Sequence, residues 1–177
     1  MTAKRRKASA LESRIQKASS EVLARLVLDL SNLDDENRAF VEARLEVTPD
    51  PLKPYKERID SALYPDVYSR QPIRIAAARR AVTEYKKAAD DLPGVLELMI
   101  YYVERGTAFT ADFGDIDEGF YDSLESMYDR FLKTLDRTGG ETKESFRLRA
   151  AGVVDRAKGI GWGYYDYLAD RFAESFE

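Results

Sequence analysis

The sequence predicts an all-α protein, a single compact domain of seven to eight helices whose hairpins pack as a bundle or a short solenoid-like array. Three observations carry that prediction. Apolar residues recur at helical spacing along most of the chain, Ser and Asp caps and Pro and Gly breakers divide those stretches, and no run alternates as a half-buried strand would. A chain of 177 residues is long enough for one such domain to bury roughly 70% of its unfolded surface.

Residues 1–18 read as a basic, flexible terminus with a short helix, since MTAKRRKA offers no apolar partner. From Ser20 the pattern is helical: Val22, Leu23, Leu26, Val27 and Leu30 fall on one face, with Ser19 or Ser20 as N-cap. SNLDD breaks this helix, and Asp34 or Asp35 caps a second one through Phe40, Val41 and Leu45, giving a helical hairpin. Prolines at 49, 51 and 54 make 48–54 the one convincing internal linker within an all-helical region 19–177. YKERIDSALYP then forms a helix ended by Pro65, and the next carries the stripe Ile75, Ala78, Val82, Tyr85 and Ala89. Asp90 or Asp91 caps VLELMIYYVERG, with Pro93 in its first turn and Gly106 as its stop; its composition places it centrally. After a loop, TAFTADFGDID, Asp117 caps a helix with Phe120, Leu124, Met127, Tyr128, Phe131 and Leu135 on one side, ended by Gly139 and Gly140. Thr142 to Phe176 reads as helix except where glycines weaken it.

The chain has no cysteine and no histidine. That removes disulfides, thiolate nucleophiles, the usual zinc sites and the side chain most suited to proton transfer near neutral pH. No metal and no cofactor is assigned, and any metal would need oxygen ligands. A net charge of −4 argues against general coating of nucleic acid or membrane. No apolar run is long enough to span a bilayer and no signal-peptide core follows the basic start, so a cytoplasmic protein is expected.

The stretch GIGWGYYDYL places three glycines, 159, 161 and 163, around the sole tryptophan. A dinucleotide fingerprint needs G-x-G-x-x-G after a strand; here the spacing is G-x-G-x-G after a helical segment, and the phosphate-loop pattern fails as well. Two structural readings stand. Either the helix is continuous and Gly152, Gly159 and Gly163 line a packing groove, or it breaks at Gly159 to Gly161 and restarts at Trp162. The acidic loop FGDIDEGFYDSLE misses the EF-hand pattern, because a frame placing Gly119 and Glu125 correctly puts Gly114 and Ile116 at ligand positions. Its carboxylates read as helix caps. Arg79, Arg80, Lys86 and Lys87 share one helix face that could follow a phosphate backbone, helped by KRRK at the terminus.

LARLVLDL, PYKERIDSALYP at 54–65, LMIYYVERGTAFTADFGDIDEGFYDSLESM at 98–127 and GIGWGYYDYL at 159–168 occur in that order. Together they resemble the bacterial family catalogued as domain of unknown function 6155, over roughly Ser20 to Phe172. The resemblance implies a small cytoplasmic bacterial protein. It brings no activity, substrate or catalytic residue.

The expected function is a non-enzymatic protein-interaction module with an unknown protein partner. Its binding surface would comprise Phe113, Asp115, Asp117, Phe120, Tyr121 and Trp162, aromatic anchors with a charged rim. The alternative is a nucleic-acid-binding accessory protein using Arg79, Arg80, Lys86 and Lys87. A carboxylate-metal hydrolase is the remote third.

Overall fold

The computed structural model describes the backbone of residues 3–176 and the side chains of residues 10–176. The basic side chains of KRRK thus lie outside the described residues. Nine α-helices and one 3₁₀ turn, Val67–Ser69, are present, and there is no strand among the described residues. The helices are α1 Ala3–Lys17, α2 Ser20–Ser31, α3 Asp35–Arg44, α4 Lys53–Leu63, α5 Ile75–Ala88, α6 Leu92–Phe113, α7 Glu118–Leu135, α8 Gly140–Arg156 and α9 Tyr164–Phe176. Eight of these helices, α2 to α9, lie within 19–177, and α1 takes up most of the stretch expected to be a flexible terminus with a short helix.

Side-chain caps set most of the boundaries. Ser19, Asp34, Asp91 and Asp117 accept from the backbone N–H groups of Val22, Asn37, Gly94 and Phe120 at 3.3, 2.7, 3.0 and 2.8 Å. Each satisfies a donor that the first helical turn leaves without an intrahelical partner. Pro54 sits in the first turn of α4, where its missing N–H costs little, so that helix begins inside the proline-rich stretch.

The chain divides into two units between Thr48 and Pro49. In the first, α2 and α3 pack as a hairpin. In the second, α6 is central, packing against α4, α5, α7 and α8, while α9 lies on α7 and α8. Its core is aromatic, with Tyr55, Tyr85, Tyr102, Tyr128, Phe131 and Tyr164 buried. Two buried tyrosine hydroxyls find partners across helices, Tyr102 pairing with Ser123 at 2.5 Å and Tyr164 with Thr107 at 2.7 Å, whereas the buried Tyr55 hydroxyl makes no hydrogen bond among the described residues. Such pairing offsets the cost of taking a phenol out of water.

Three local expectations need correction. Gly106 does not end α6, which continues through TAFTADF to Phe113. Gly106 is buried, and a Cβ there would lie 2.3 Å from Leu124 Cδ2, so the glycine admits α7 rather than stopping the helix. Gly139 and Gly140 do not end α7 either; it stops at Leu135, and Gly139 is the N-cap position of α8. Finally, α8 and α9 are not continuous, so Gly152, Gly159 and Gly163 form no groove. The chain breaks as the second reading required but restarts at Tyr164, because Gly159, Trp162 and Gly163 all have positive φ, at 85°, 64° and 72°.

Candidate functional site

Residues between helices α6 and α7 meet the turn between α8 and α9. Gly114, with φ of 95°, turns the chain out of α6 in a conformation that costs glycine little. Asp117 is committed to capping α7, which starts the helix so that Tyr121 lies one turn in. The Tyr121 hydroxyl donates to Asp115 Oδ1 at 2.9 Å and lies 2.6 Å from the Thr110 hydroxyl. Burial and the Asp115 charge both push the Tyr121 hydroxyl above its ordinary pKa, against the Thr110 hydrogen bond, so it stays protonated as a donor.

The turn closes over this pair. A Cβ on Gly161 would lie 3.1 Å from Asp115 Oδ2, which makes that position tight for any other residue. Trp162 stacks on Tyr121 with ring centroids 6.4 Å apart and planes at 28°, and Tyr164 meets the same tyrosine at 5.2 Å. Trp162 nevertheless remains 59% exposed. The glycines of GIGWG therefore have separate duties: Gly159 and Gly163 take left-handed backbone, and Gly161 makes room for a carboxylate.

Of the six residues expected to form one surface, Asp115, Tyr121 and Trp162 come together. Phe120 is buried beneath them. Phe113 is half exposed but belongs to another aromatic group, 5.0 Å from Phe109 and 5.7 Å from Tyr64 between centroids. Asp117 is held as the cap of α7. No Lys or Arg occurs from Gly106 to Asp129, whereas seven carboxylates do. Asp112 is paired with Arg156 at 3.0 Å, and Asp129 with Arg171 at 2.9 Å and Lys133 at 3.3 Å. Asp115, which lies against Gly161 of the turn, and Asp117 and Glu118, which follow it in the chain, form no ion pair among the described residues, which leaves this segment acidic.

The basic face of α5 is less uniform than its spacing suggests. Arg80 is paired with Glu84 at 2.6 Å, and Glu84 also takes Arg58 at 2.8 Å. Arg79 is half-buried; Lys86 and Lys87 are exposed in the last turn. Among the described residues no three Asp or Glu side chains are grouped so as to hold a metal ion, and no helix is long and apolar enough to cross a membrane.

Sequence reasoning passed over a cleft between α6 and α8 into which Arg105, Arg149 and Arg156 face. The readable signal was Gly152 inside a helix, three residues after one arginine and four before another.

Set against family models, curated proteins and solved structures, the chain matches none of them.

Proposed function

We propose that this protein is a non-enzymatic interaction module that holds a cationic segment of a partner protein against Trp162. The observation that carries the reading is the conformation of that residue. A side chain with a Cβ at φ of 64° costs roughly 1–2 kcal/mol, and backbone outliers of this kind gather at functional sites. Here the cost presents the chain's only tryptophan, still mostly exposed, on a base of Tyr121. Tryptophan is the best aromatic acceptor for a Lys or Arg head. Asp115 at the turn, with Asp117 and Glu118 next in the chain and none of the three in an ion pair among the described residues, favours the same charge through the field they create. Kinship with the domain of unknown function 6155 family goes with this proposal; it would set the protein in a bacterial cytoplasm and lends no activity.

The test is to pan the full chain against a random peptide library and measure the enriched peptides by calorimetry. Peptides bearing Arg or Lys should be enriched, and Trp162→Ala should weaken them by about tenfold or more, a loss of about 1.4 kcal/mol, with the helical spectrum unchanged. Failure to enrich basic peptides, or equal affinity for the variant, would refute the proposal. Intrinsic fluorescence supplies an independent reading, because all tryptophan emission comes from this one residue.

A further inference from the structure

Between α6 and α8 lies an open cleft of about 460 Å³, within the range of small-molecule sites. Three guanidinium groups line it, and each is fixed from behind. Arg149 grips Glu104 with Nε and Nη2 at 2.7 and 2.6 Å and reaches Glu97 with Nη1. Arg105 pairs with Asp60 through Nε and lies 4.2 Å over the Tyr64 ring. Arg156 donates through Nη2 to Asp112 at 3.0 Å. The two aspartates are themselves steadied by tyrosine hydroxyls, Tyr101 on Asp60 at 2.6 Å and Tyr64 on Asp112 at 2.7 Å.

An arginine carries five N–H donors. Among the described residues both Nη groups of Arg105 and the Nη1 group of Arg156 make no hydrogen bond, so these arginines are anchored by part of the fork with the rest to spare. Lys56 pairs with Glu97 at 2.7 Å, so four cations face four carboxylates. The cleft therefore selects by directed donors more than by net charge.

The second observation is Gly152. Glycine inside a helix costs about 1 kcal/mol relative to alanine, and packing does not require it here. No heavy atom lies within 4 Å of the place its Cβ would take, and its φ is not positive. Gly106 on the facing helix differs, since there a neighbour fills the space. Gly152 lines the cleft, so a side chain would occupy volume that the glycine leaves open. A rule of local propensity broken without a packing reason, at a cavity bearing unused donors, marks a binding site.

We propose that this cleft binds a small oxyanion-bearing molecule, a carboxylate or phosphate group meeting the spare donors of Arg105 and Arg156, its body lying over Gly152. The forked geometry suits both kinds of group.

Calorimetric titration of the full chain at low ionic strength, with citrate in one arm and inorganic pyrophosphate in the other, tests the proposal and separates the two chemistries. At least one probe should bind saturably at one site per chain. Gly152→Glu, which adds bulk and negative charge, should weaken that binding by at least about tenfold, and so should Arg105→Gln, which removes donors, each a loss of about 1.4 kcal/mol. Gly152→Ala should fold at least as stably as the native chain yet bind less tightly, because its methyl group enters the volume that the glycine leaves open. Absence of saturable binding by either probe overturns the proposal. So does unchanged affinity in Gly152→Glu or in Arg105→Gln.

Discussion

Among the described residues Trp162 is one of three non-glycine residues with positive φ, the others being Glu46 and Arg70. At this site the conformational cost and the value of the side chain can be separated. Any residue with a Cβ pays roughly 1–2 kcal/mol for the left-handed conformation. Glycine avoids that but loses about 0.4–1 kcal/mol through its freer unfolded chain. Trp162→Ala and Trp162→Gly both give up the stack on Tyr121, so their difference isolates the backbone. Trp162→Gly is expected to be the more stable by about 0.5–1 kcal/mol, read from urea midpoints at equal slopes. The opposite order would mean that the turn relaxes when the indole is gone, and that stacking rather than flanking glycines holds it.

Helix α7 shows how one element carries both a core stripe and an electrostatic conflict. Glu125 is half-buried, with Asp122 and Asp129 three and four residues away on its own helix. Burial first, then these two like charges, raise its pKa above the ordinary carboxylate value. Arg130, Lys133 and Tyr167 border the same hollow, and Lys133 is engaged with Asp129. Because the folded-state pKa is the higher one, the native state binds this proton more tightly than the unfolded chain. The group therefore lowers stability as pH rises from the ordinary carboxylate range through the folded value. Glu125→Gln should accordingly stabilise the protein at pH 7 by about 0.4–1 kcal/mol, two like-charge helix pairs at ~0.2–0.5 each. The gain should fade below about pH 4, where both states are protonated. Urea unfolding across that range checks it; a gain independent of pH would assign the effect to something other than charge. At this scale the sequence was most legible where signals are local. Ser19, Asp34, Asp91 and Asp117 cap their helices through atoms three residues away, and the apolar stripe of α7 is buried in full. Gly106 misled because its reason for being glycine, Leu124, lies on another helix. The arginines of the cleft were hidden likewise, since Asp60, Glu97 and Glu104 meet them only across helices. The break at GIGWG could be read from glycine propensity, but the exposure of Trp162 and its stack on Tyr121 depend on where two distant turns meet.

For the whole molecule, the division at Thr48 sorts the chain by where its hydrophobic driving force resides. Among the described residues every buried apolar side chain except those of Ala39 and Ala43 comes from residue 55 or later. The amphipathic pattern of α2 is plain in the sequence, yet α2 has no buried residue, and Val22, Leu26 and Leu30 are 57%, 45% and 43% exposed. Burial of apolar area supplies most of the stability of a fold, and pieces of about 40 residues seldom bury enough to fold alone. The fragment Pro49–Glu177 should therefore fold cooperatively without the preceding residues. Its thermal midpoint should lie within about 4 °C of the full chain, the shift expected from a change near 1 kcal/mol or less in a chain of this size, whereas residues 1–48 alone should show no cooperative transition. Calorimetry gives the midpoints, and near-ultraviolet circular dichroism reports whether Trp162 and the tyrosine core keep fixed packing. A fragment 49–177 that retains helix but loses its near-ultraviolet signal would place part of the core's stability before Pro49. A native-like fragment would place both the Trp162 surface and the arginine cleft on an independently folding unit.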